Sequence, residues 1–200
     1  MKSVKVMGFD LDGTLVRMKL DFDTIRRELG IPHGDTLQYI SSLPKKEGQR
    51  LMRLLEEREK GAAMEAEITQ GARELIDECR RRDIKVVVIT RNSQESASLT
   101  LKSLGLDVDM ILSREEATPK PSPEALNIVL NHYGIEPHEM AFIGDYIYDV
   151  QAGNAAGVKT ILLTSQERAD EWAPLATFVA LDLMEVLDLL REGRKAVVRR

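Results

Sequence analysis

Apolar runs of strand length alternate with apolar stripes of helical period along most of this chain. Residues 4–16, VKVMGFDLDGTLV, open with apolar residues that predict a short buried strand and end in two carboxylates, a glycine and a hydroxyl. Residues 84–90, IKVVVIT, are continuously apolar apart from one lysine, the pattern of a strand covered on both faces. Residues 140–143 and 158–164 read the same way, and residues 109–112 and 176–179 predict shorter strands. Between these runs lie helical faces: Ala72, Leu75, Ile76 and Cys79; Ala97, Leu101 and Leu104 before Gly105; Leu126, Val129, Leu130 and Tyr133 before Gly134; and Leu183, Val186, Leu187 and Leu190. Expected caps are Asn92 with Glu95, Ser122 with a first-turn Pro123, and Asp182 with Glu185. Ala152, Gly153, Ala155 and Ala156 predict a helix that closely approaches a sheet, with Asp149 in its first turn.

The alternation is interrupted between residues 19 and 68, where polar helix-forming runs predict helices and no strand. DFDTIRREL predicts one short helix ending near Gly30-Ile31-Pro32, and residues 36–43 a second. Residues 45–68 predict a longer helix, with Leu51, Leu55, Ala62 and Ala66 on one stripe and Glu56 paired with Lys60 outside, although Gly61 weakens its continuity. Residues 17–68 are therefore expected to form a small helical insertion that lids the site at Asp10, while residues 1–16 and 69–200 form the main domain.

At 200 residues and 43% hydrophobic, the chain has enough apolar material for one substantial core. Four Phe, four Tyr and one Trp leave the packing to aliphatic side chains, with Trp172 expected as a packing residue. A net charge of -5 gives no basic footprint for nucleic acid. A single cysteine, Cys79, excludes an intrachain disulfide and a thiolate metal cluster; it is expected to be a core contact in a protein of the reducing cytoplasm. No signal-peptide pattern or membrane-spanning apolar run is evident, so no membrane partner is expected. The end, REGRKAVVRR, is expected to be a solvated tail. His33, His132 and His138 show no metal-ligand pattern, and neither GxGxxG nor GxxxxGK[ST] occurs.

The chemistry-bearing residues fall where strands end. Alternation along an extended backbone directs the carboxylates of Asp10 and Asp12 to one side, where repulsion raises a pKa unless a cation offsets it. Gly13 permits a turn closed to other residues, and Thr14 adds a hydroxyl and a backbone N–H for an anion. In TPKPSP the prolines flanking Lys120 keep it out of a helix and restrict its loop. GDYIYDV contributes Asp145 just past a strand, and Asp149 after it. Asp10, Asp12, Asp145 and Asp149 together make an oxygen-rich set suited to a hard cation such as Mg2+.

DLDGTLV at 10–16, the strand-end Thr90, Lys120 and GDYIYDV at 144–150 resemble, in order and spacing, the four motifs of the haloacid dehalogenase-like (HAD) hydrolase superfamily. The insertion resembles a reduced C1 cap of its phosphoglycolate phosphatase-like branch. The resemblance implies an α/β fold, a three-layer α/β/α Rossmann-like core with a small all-helical cap. It implies Asp10 as the nucleophile of a phosphoaspartyl intermediate, Asp12 as the acid and base, and Thr90 and Lys120 as catalytic groups on the phosphoryl oxygens. Mg2+ would lie between Asp10, the backbone oxygen of Asp12 and Asp145, with Asp149 acting through water. Gly13, Thr14, Thr90, Arg91, Asn92 and Lys120 would contact the substrate, a small phosphorylated metabolite. The protein would be a monomer or homodimer. Tyr146 replaces the small Ser or Thr common after the first Asp of the fourth motif, and TRN at 90–92 replaces the common TGN or SNG. A sugar phosphomutase and a noncatalytic phosphate-binding or protein-interaction module are the alternatives.

Overall fold

The computed structural model describes residues 3–32, 34–164, 166 and 168–192, so His33 and the expected tail after residue 192 lie outside the described residues. Its centre is a six-stranded sheet of β1 (Val6–Phe9), β4 (Lys85–Ile89), β5 (Met110–Leu112), β6 (Met140–Gly144), β7 (Lys159–Leu163) and β8 (Phe178–Ala180), all parallel, in the order β5-β4-β1-β6-β7-β8. The continuous apolar runs are explained by burial on both faces. Met7, Phe9, Val86, Val88, Ala141 and Ile143 join one core with α4 (Ala72–Arg81), α5 (Gln94–Ser103) and α9 (Leu183–Glu192). Val6, Val87, Ile89, Met140 and Phe142 join the other with α6 (Glu124–Tyr133) and α7 (Ile147–Ala156). Period-two alternation thus feeds two helical layers, giving a three-layer Rossmann-like α/β/α fold. Cys79 is buried in the first core, and Trp172, on α8 (Ala169–Trp172), packs against Val150 and Leu162.

The helical cap contains α1 (Phe22–Leu29), α2 (Thr36–Ser42) and α3 (Lys45–Met64), which enclose Ile25, Ile31, Leu37, Ile40, Leu51 and Leu55 in a core of their own. Asp21 caps α1 through the N–H groups of Asp23 and Thr24, and left-handed Gly30 ends it. The expectation of a helix reaching residue 68 is corrected: α3 stops at Met64, and β3 (Glu67–Ile68) pairs antiparallel with β2 (Val16–Arg17). Two-residue strands are too short to leave a period in the sequence. Gly61 does not break α3; a Cβ there would meet nothing within 4 Å, so the glycine lies in open space on a helix held by its buried face. Lys60 reaches Glu95 of α5 at 2.7 Å instead of pairing along its own helix with Glu56, whose nearest cation is Arg114 at 3.7 Å.

Three further details differ from expectation. Ser93, one residue past Asn92, caps α5 by accepting from the Ser96 N–H, because Asn92 is drawn inward. Pro123 occupies the capping position of α6 rather than its first turn, with Ser122 accepting a long 3.3 Å bond from the Glu124 N–H. Ala155 is exposed; the close approach of α7 to the sheet is made at Gly153, where a Cβ would lie 2.2 Å from Thr160. The α9 cap forms as expected, with Asp182 accepting from Glu185 N–H and Glu185 accepting from Leu181 N–H. Among the described residues no helix is long and apolar enough to cross a membrane.

Candidate active site

From β1 the chain builds outward through β4 and β5, then returns to place β6 on the other side of β1. The carboxyl ends of β1 and β6 therefore flank the point where strand order reverses, the usual ligand crevice of an open parallel sheet. Asp10 follows β1, its N–H donating to Ile143 O at 2.8 Å, and Asp145 follows β6. Asp149 is placed in the first turn of α7, where one carboxylate oxygen accepts the Tyr146 N–H at 3.0 Å. Carboxylate oxygens of Asp10, Asp145 and Asp149 come within 4.8 Å of one another. Two glycines make room for this convergence. Gly13 has a φ of +83°, and a Cβ there would lie 2.2 Å from Asp145 Oδ2; a Cβ at Gly144 would lie 2.2 Å from Asp149 Cγ.

Lys120 is buried, contrary to the usual surface role of a loop lysine, and its ammonium donates to Asp10 Oδ1 and, at 2.6 Å, to Asp149 Oδ1. The peptide joining it to Pro121 is cis. Burial alone would lower the Lys120 pKa, but Asp10 and Asp149 outweigh it and hold the ammonium above its ordinary value. Burial pushes the Asp10 carboxyl up to about 7 against the pull of Lys120, with Asp149 and Asp145 adding to the rise. Asp145 is pushed up to about 6, first by burial and then by Asp149, while Gln166 Nε2 donates to its Oδ2 at 2.6 Å. Asp12 turns its carboxylate to the Met18 N–H at 2.8 Å, yet burial and Asp10 together push it up to about 7. An acid with that value can both give and take a proton near neutrality.

The other residues singled out from the sequence take different positions. The Thr14 N–H is used within the turn, to Leu11 O, while its hydroxyl is buried without a protein partner. Thr90 directly follows β4, the strand beside β1, and its hydroxyl accepts the Asn92 N–H at 3.1 Å. The Asn92 side chain is buried against Met18 Sδ. Arg91 reaches away from the carboxylates: one terminal nitrogen donates to Lys120 O at 3.1 Å, and the other to both oxygens of Asp35 at 2.7 Å. Its guanidinium also lies 4.8 Å from the centre of the Tyr148 ring. Asp35 and Gln166 are the site contacts that sequence reasoning missed. Asp35 is legible as a helix cap, since it accepts the Gln38 N–H, but nothing local marks it as the partner of Arg91. Gln166 carries no signal at all.

The donor set fits a hard divalent cation. It is built of carboxylate oxygens, it is buried, and the one ammonium among its three acids bonds only Asp10 and Asp149, while burial pushes Asp10 and Asp145 well above the ordinary carboxylate range. Such a cluster is under-neutralised without a further positive charge.

Comparison with known proteins gives a concordant result. The model of the haloacid dehalogenase-like hydrolase family matches residues 16–163. That match begins just past the loop of Asp10 and Asp12 and so rests on other residues. An uncharacterized hydrolase of Saccharomyces cerevisiae is 28% identical over 98% of this chain and 94% of its own. A phosphoglycolate phosphatase of Chromobacterium violaceum is 27% identical over 96% and 99%. The crystal structure of a hydrolase from Pseudomonas syringae superposes with a TM-score of 0.74 at 21% identity, covering 95% of this chain and 99% of that one, a likeness of fold. The parallel sheet, the acids at its carboxyl edge and the extent of the family match agree: this chain belongs to the haloacid dehalogenase-like hydrolases.

Proposed function

We propose that this protein is a Mg2+-dependent phosphomonoester hydrolase that acts on a small phosphorylated metabolite through a phosphoaspartyl intermediate at Asp10. The observation that carries the reading is the convergence of Asp10, Asp145 and Asp149 at the carboxyl edge of the sheet, with one buried lysine bonded to Asp10 and Asp149. Asp10, Asp145, Asp149 and the Asp12 carbonyl would hold Mg2+, which when bound supplies positive charge to the phosphoryl oxygens.

Asp10 attacks phosphorus while Asp12 gives its proton to the departing alcohol oxygen. Asp12, now a carboxylate, takes a proton from water as that water attacks the phosphoaspartate, releasing phosphate and restoring both acids. Lys120 keeps Asp10 oriented and offsets negative charge through both displacements, and the hydroxyl of Thr90 supplies a donor to the phosphoryl oxygens. The similarity to a phosphoglycolate phosphatase supports the same reaction class.

Phosphate release from a panel of phosphorylated metabolites, with and without Mg2+ and with Asp10→Asn as the paired control, tests the reading. Release that needs Mg2+ and disappears in the variant is expected. No release across the panel, or equal release by the variant, would overturn it, and isomerisation of a sugar phosphate without release would make the protein a phosphomutase.

A further inference from the structure

The ion pair between Arg91 and Asp35 joins the core to the cap at the rim of the site. Arg91 follows Thr90 and donates to the Lys120 carbonyl, and Tyr148, which packs on the guanidinium, is the residue just before Asp149. A phosphoryl group held at Asp10 has the sheet beneath it, so its ester must extend away from the strand ends, past this rim. The side chains of Arg91 and Asp35 are 25% and 12% exposed, enough shielding for their charges to matter to a neighbouring group. Arg91, the cation that follows Thr90, is already satisfied by two carboxylate oxygens. A second anion on the substrate would meet Asp35 and find Arg91 engaged. A neutral hydroxyl group would meet an acceptor.

Resting on the phosphatase reading, we propose that Asp35 is a specificity-determining residue: by holding Arg91 it selects phosphate monoesters with an uncharged, hydroxyl-bearing leaving group over those that carry a carboxylate there. The discrimination is electrostatic and local. It therefore survives loss of the nucleophile and is separable from the cap's folding, because Asn in place of Asp35 keeps an oxygen to accept the Gln38 N–H while removing the charge.

Glycerol 3-phosphate and 3-phosphoglycerate form a suitable pair, identical except that a CH2OH of the first is a carboxylate in the second. Calorimetric binding of each, with Mg2+ present, is measured on Asp10→Asn protein with Asp35 intact and with Asp35→Asn added. Values of kcat/KM for the same esters are measured on protein with Asp10 intact. The expected result is a preference for glycerol 3-phosphate when Asp35 is present, and a shift of the affinity ratio toward 3-phosphoglycerate by about tenfold or more in Asp35→Asn. An unchanged ratio, an equal fall for both ligands, or binding of neither overturns the proposal. A shifted binding ratio in a protein that hydrolyses no ester would refute the phosphatase reading and leave the selectivity of Asp35 standing.

Discussion

A Cβ at residue 13 would overlap the Asp145 carboxylate, and residue 13 also holds a φ of +83° that other side chains rarely adopt. Gly13→Ala is therefore expected to destabilise the fold by about 1–3 kcal/mol, measured by urea denaturation, and to weaken Mg2+ binding by displacing Asp145. Asp12→Asn, which keeps the size of the side chain and removes its proton transfer, should lower kcat by about 10²- to 10⁴-fold with little change in stability. The raised carboxyls also set a pH dependence. Asp10 and Asp12 move from 3.8 to about 7 and Asp145 from 3.8 to about 6, so the native state binds protons more tightly than the unfolded chain between those values. Their contribution to stability is complete below about 4 and is lost as pH rises through about 6 to 7. Metal-free protein should thus show a falling thermal midpoint from pH 5 to pH 8, and Mg2+, which favours the charged carboxylates, should reverse the fall. A midpoint that rises over that range without metal would contradict this. Asp10, Asp12, Lys120, Asp145 and Asp149 were legible in the sequence because each lies in a short stretch whose neighbours betray a strand end or a constrained loop. Asp35 was not, because its partner Arg91 is 56 residues away and only the packing of cap on core brings them together.

At the scale of elements, α3 is fastened to the core by a buried pair. Arg114 donates to Glu59 at 2.6 Å and to Arg91 O at 3.0 Å, and Glu59 also accepts the Ser93 N–H at the start of α5. With side chains only 5% and 2% exposed, removal of one partner strands the other charge in the interior. Glu59→Leu should therefore cost about 3–5 kcal/mol, while the double change Glu59→Leu with Arg114→Met should recover a large part of it, as read from chemical denaturation. Equal losses in single and double variants would show that the pair does not act as a unit. The amide hydrogens of α3 are expected to exchange as slowly as those of the core helices. Helical periodicity made α3 legible through Leu51, Leu55 and Ala62, since a stripe survives in sequence whatever it packs against. The two-residue strands β2 and β3 were not legible, because they are held by their pairing and not by any pattern of their own. The cap at Ser93 was missed for a related reason: Asn92 is as good a cap by type, and only its burial against Met18 decides between them.

For the whole molecule, continuous apolar strands separated by amphipathic helices sufficed to indicate a parallel sheet with helices on both faces, whereas the strand order β5-β4-β1-β6-β7-β8 depends on which side of β1 each crossover returns. That order matters to function, because it sets the ends of β1 and β6 side by side and so gathers acids from residues 10, 145 and 149 around Lys120. The central claim is that Asp10 becomes phosphorylated during turnover. Borohydride reduction during turnover of a hydrolysed ester, followed by mass mapping of the peptide that contains residue 10, tests it most directly. Conversion of Asp10 to homoserine, dependent on substrate and confined to that residue, is predicted; phosphate release with Asp10 left unmodified and another residue trapped would contradict the account.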